Sequence, residues 1–121
     1  MPSTHTPDLL EQNAERCKAL GHPLRLAILR LIVQGPEAGM AAGAIQDHVG
    51  IPASTLSHHL ACLAETQLVA VEREGNFLRY RADFRTLRAL TDYLWKDCCS
   101  GGPQPQEPKV CCGVKVRKTS R

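Results

Sequence analysis

The stretch from Met40 to Gln67, MAAGAIQDHVGIPASTLSHHLACLAETQ, restricts the possible architectures more than any other part of the chain. Ile45 and Val49 stand four residues apart and predict a short helix over 40–49. Gly50-Ile51-Pro52 then makes a tight turn. Beyond it, Leu56, Leu60 and Leu63 recur at i, i+4 and i+7, which predicts a second helix with one buried face. The opposite face leaves Ser54, Thr55, Ser57 and His58 for solvent or a partner. Two helices around a short glycine-containing turn form a helix-turn-helix. The segment that follows, LVAVEREGNFLRYRAD, has two runs rich in β-formers on either side of Glu-Gly-Asn, which predicts a hairpin. A hairpin directly after a helix-turn-helix is a wing.

The flanking segments fit the same scheme. Pro7 predicts a helix start, and Leu10, Ala14 and Cys17 recur at helical spacing until Gly21 ends the run. Pro23 opens a further helix, in which Leu24, Ala27, Ile28, Leu31 and Ile32 form an apolar stripe that stops at Gly35-Pro36. After the hairpin, Leu87, Leu90 and Leu94 predict a closing helix that reaches Cys98, and SGGPQPQEPK then interrupts regular structure. The expected fold is mainly α with a small β-hairpin, a winged helix-turn-helix. It comprises a domain over 1–99 and a flexible, cysteine-containing basic tail over 100–121. A chain of 121 residues can bury a real core without cross-links.

Charge alone is uninformative: net +3, with four of the basic groups in the last seven residues, KVRKTSR, reads as a solvated tail. The cysteines say more. The first residues lack the basic start and apolar run of a secretory signal, and no stretch approaches the length of a membrane span, so a cytoplasmic protein without membrane contact is expected. In a reducing compartment, six cysteines indicate metal ligands, redox sensors or core fillers rather than a disulfide framework. Cys17 and Cys62, each on a helical apolar stripe, read as buried fillers. The adjacent pairs Cys98-Cys99 and Cys111-Cys112 do not. Neighbouring Cα atoms lie about 3.8 Å apart, shorter than the roughly 4.4 to 6.8 Å of an unstrained disulfide. No Cys-x-x-Cys stands beside a βαβ pattern, so a thiol enzyme is not expected.

A helix-turn-helix with a wing reads duplex DNA. Short polar side chains on the second helix reach base edges in the major groove, while basic groups around it meet phosphates. Ser54, Thr55, Ser57 and His58 suit the first task; Arg73 and Arg79 on the wing strands, with Asn76 at the tip, suit the second. His58 and His59 make a poor ligand pair for one ion, because neighbours on a helix point about 100° apart. His59 is expected to pack or hydrogen-bond inside.

With KALGHPLRLAILRLI, STLSHHLACL and VEREGNFLRYR in this order, the chain resembles the ArsR/SmtB family of small metalloregulatory repressors over roughly 10–99. The resemblance implies a homodimer built mostly from the first and last helices. It also implies binding to double-stranded operator DNA with an inverted repeat, and release by a metal or metalloid. The family's Cys-x-Cys-x-x-Cys arsenic site would fall on Ala41, Gly43 and Gln46, which are not soft-metal ligands. Its zinc site on the last helix needs histidines, and none follows His59. Members that end the last helix with a Cys-Cys-x-Gly-like element resemble CCSGG here. By that resemblance arsenite or antimonite is the expected inducer, held by Cys98 and Cys99 with a third thiolate from Cys111 or its rival Cys112. The same fold sensing oxidants or reactive sulfur, or cadmium or lead, is the alternative.

Overall fold

The structure is a computed structural model that describes residues 8–99. The tail expected over 100–121, with Cys111 and Cys112, and the predicted helix start at Pro7 lie outside the described residues. The chain divides into two units, one ending at Leu90 and the other beginning at Thr91.

The first unit opens with α1, Leu9–Leu20. The carboxylate of Asp8 caps it by accepting from the Glu11 N–H at 2.9 Å. Next, α2 spans Pro23–Gln34, with proline at its first position and His22 as its cap. The His22 Nδ1 accepts from the Leu24 N–H at 3.1 Å. The strand β1, Met40–Ala41, leads into α3, Ala42–Val49. Gly50 closes α3 at φ 69°, in the left-handed region where a Cβ is costly. The helix α4, Ala53–Glu65, starts directly after the turn. Strands β2, Val69–Glu74, and β3, Phe77–Ala82, form the hairpin, and α5, Phe84–Trp95, begins in the first unit.

Ile28, Ile45, Leu60, Leu63 and Leu68, drawn from α2, α3, α4 and the approach to β2, are the largest fully buried side chains. The predicted stripe of α4 is borne out: Leu56, Leu60 and Leu63 are all buried. In α2 the buried residues are Ile28, Leu29 and Ile32, while Ala27 is exposed.

Three expectations need correction. Met40 and Ala41 belong to a strand rather than to the short helix, and the wing is part of a three-stranded antiparallel sheet in the order β1-β3-β2. Met40 pairs with Tyr80 and Ala41 with Arg79. This brings Gly39 so close to β3 that a Cβ would lie 2.9 Å from the Tyr80 carbonyl oxygen and 2.5 Å from Arg81 Cγ, at a φ of 99°. Only glycine fits that approach. Second, the stripe Leu10, Ala14 and Cys17 of α1 faces solvent, and its buried residues are Asn13 and Ala19. The helical spacing is real, but the first unit's own core does not cover that face. Cys17 is therefore exposed instead of buried, whereas Cys62 does pack against the core. Third, α5 ends at Trp95, so Cys98 lies past the helix rather than on its stripe.

Candidate nucleic-acid interface and thiol pair

The helix α4 has two contrasting faces. Leu56, His59, Leu60 and Leu63 point into the core. Ser54, Ser57 and His58 are exposed, and Thr55 is half-buried beside them. Ser54, Ser57, His58 and the exposed Ala61 sit at i, i+3, i+4 and i+7, so the outward stripe has the same helical period as the inward one. The sequence-predicted reading residues thus share a single surface.

His59 is buried as expected, at 6 % exposure, and three groups surround it. Its ring centroid is 4.8 Å from that of His22 and 5.8 Å from that of His58. Its Nδ1 lies 3.4 Å from Nη1 of Arg25, whose Nε donates to the Ala19 carbonyl at 2.7 Å. Burial, followed by the nearby His22, Arg25 and His58, holds its pKa below the ordinary histidine value.

The wing separates the two arginines that the sequence had grouped. Arg73 pairs with Leu78, whereas Arg79 pairs with Glu72, and alternation along a strand places these two pairs on opposite faces of the hairpin. The Arg79 face is neutralised. Arg79 Nε donates to Glu74 at 3.0 Å and its Nη1 to the Gly39 carbonyl at 3.1 Å, while Arg81 lies 3.3 Å from Glu72. Arg73 is exposed and has no ion-pair partner among the described residues. Asn76 is exposed at the tip, next to the equally exposed Phe77. The sequence contained this signal. A two-residue turn at Gly75-Asn76 fixes Glu74 opposite Phe77, and every later pair follows.

In the second unit the chain turns after Trp95. Asp97 and Cys99 adopt φ values of 60° and 57°, and the Cys98 N–H donates to the Trp95 carbonyl at 2.9 Å. Cys98 is half-buried and Cys99 exposed, with their sulfurs 3.4 Å apart. Among the described residues no three or more His, Cys, Asp or Glu side chains are grouped to hold a metal. No helix among them is long and apolar enough to cross a membrane.

Comparison with known proteins identifies the group to which the chain belongs. A family profile described as a helix-turn-helix domain matches residues 20–72. The chain is 34 % identical over 77 residues to the transcriptional repressor SdpR of Bacillus subtilis, covering 64 % of this chain and 82 % of that one. It is 35 % identical over 118 residues to the "Probable mercury resistance operon repressor" of Streptomyces lividans, covering 90 % and 89 %. The homodimeric winged helix-turn-helix DNA-binding domain Mb0332 of Mycobacterium bovis, described as a possible ArsR-family regulator, superimposes with a TM-score of 0.59. Its identity is 30 %, and the match covers 87 % of this chain and all of that fragment. This chain belongs to the ArsR/SmtB family. As a family member it is a DNA-binding transcriptional regulator and not an enzyme.

Proposed function

We propose that this regulator is a repressor that binds an inverted-repeat operator as a homodimer and leaves it when a soft ion binds Cys98 and Cys99. The observation that carries this reading is the 3.4 Å separation of the two sulfurs. At a metal–sulfur bond of about 2.3 Å both reach one ion at once. Thiolates select soft ions, and trivalent arsenic or antimony takes three sulfurs in a pyramid, the third supplied by Cys111 or Cys112. DNA is read by Ser54, Thr55, Ser57 and His58, with Asn76 and Arg73 at the backbone.

Mercury is the second reading, because the Streptomyces relative is named for mercury resistance. A linear two-sulfur ion requires sulfurs roughly 4.6 Å apart, twice that bond length, so the pair would have to open to hold it. Arsenite or antimonite is therefore the leading inducer.

Release requires that the ion bind the free form more tightly than the DNA-bound form, since equal affinities shift nothing. The test is a titration of fully reduced full-length protein on operator DNA with arsenite, mercuric ion and zinc in parallel. Release by arsenite at lower concentration than by the other two is expected. Release by mercury first would favour the second reading, and release by none would overturn both.

A further inference from the structure

We propose that Arg25 and His22 are positioning residues for DNA reading, and that with His59 they form a latch that holds the recognition helix in place only while His59 is neutral. The inference rests on α4 being the DNA-reading helix and adds a proton dependence to it.

A guanidinium has only donors, so where Arg25 Nη1 approaches His59 Nδ1 at 3.4 Å, that nitrogen must act as the acceptor. The proton of neutral His59 then sits on Nε2. Arg25 cannot easily turn away, because its Nε is committed to the Ala19 carbonyl at the end of α1, 2.7 Å away. His22 is similarly occupied: its Nδ1 accepts from the Leu24 N–H and caps α2. A proton on His59 Nδ1 would set two donors and two positive charges against each other at a 6 % exposed position.

The groups around His59 offer that charge little relief. From α2 it meets His22 and Arg25, and from its own helix His58. The end of α1 contributes the carbonyl that anchors Arg25. The buried residues of α3 and β2, which also pack on α4, are the apolar Ile45 and Val69. The way out is for α4 to move away from the α2 end, and that carries Ser57 and His58 with it, since they precede His59 on the same rigid helix.

The experiment measures affinity of the full chain for a duplex selected with it from a random library, at fixed salt, from about pH 7.5 down to about pH 4.5, so that the range runs from above the usual histidine pKa to well below it, where a lowered pKa is crossed. The parent should bind more weakly at the acid end, by up to about tenfold per pH unit once His59 titrates. His58→Gln should keep that loss, and His59→Gln, which can still accept from Arg25 but does not titrate, should remove it. Arg25→Gln should reduce it. Parent affinity that is flat or rises toward acid pH overturns the proposal, and so does an undiminished loss in His59→Gln. Should His59→Gln fail to fold, the tautomer of His59 in the parent, read by long-range proton–nitrogen NMR, decides: a proton on Nδ1 at neutral pH overturns the latch. No sequence-specific binding even at neutral pH would instead contradict the assignment of α4.

Discussion

At the scale of single residues, the most consequential side chains sit where the same residue type plays different roles. His58 and His59 are neighbours, yet one faces solvent and the other the core. Because the folded state resists protonating His59 while the unfolded state does not, the unfolded chain binds more protons as pH falls below about 6.5. Folding stability should then fall with pH from that point until the lowered folded-state pKa is reached. Denaturant melts of the parent should show this drop, and His59→Gln should show less of it. The wing arginines differ in the same way. Arg73→Gln should lower the salt dependence of DNA binding by about one unit of slope, the signature of one lost phosphate contact. Replacing Arg79 and Glu74 together by glutamine removes a mutually neutralised pair and should leave the slope unchanged. In the sequence the two arginines look alike, because their charge is visible there and their register on the hairpin is not.

At the scale of elements, helical periodicity is a local property, and this is why α2, α3 and α4 were legible. The strand β1 was not legible: two residues carry no period, and their partners Tyr80 and Arg79 lie about forty positions away in the chain. The one local hint was Gly39, whose backbone angle and close approach to β3 exclude a side chain. Gly39→Ala should cost about 2 to 3 kcal/mol of stability, from overpacking added to a left-handed backbone, measured by chemical denaturation. The outward stripe of α4 leads to a different expectation. Ser57→Ala with His58→Ala should leave the melting curve close to the parent's, because both side chains are exposed, but should weaken specific binding by about 1 to 3 kcal/mol per lost base contact.

At the scale of the whole molecule, the exposed apolar residues of α1 show what a single-chain periodicity cannot resolve. Leu10, Ala14 and Cys17 repeat as a core stripe does, but the spacing does not say whether the chain's own core or a second copy covers them. Leu9 and Leu10 in α1 are 57 % and 62 % exposed. An exposed apolar stripe of this kind is what a dimer would cover. The resulting symmetry predicts a footprint of two half-sites about one helical turn apart, and protection of a lone half-site would contradict it. The proposed inducer site can be read only as chemistry, an adjacent thiol pair without the family's other metal-ligand patterns, because the sequence does not show where a third sulfur would come from. The most direct test of the central claim is operator release by arsenite, followed by fluorescence anisotropy on fully reduced protein, comparing the parent with the Cys98→Ser, Cys99→Ser double variant. The account predicts that the variant binds operator as tightly as the parent and stays bound at arsenite concentrations that release the parent. Release of both proteins at the same arsenite concentration would contradict it.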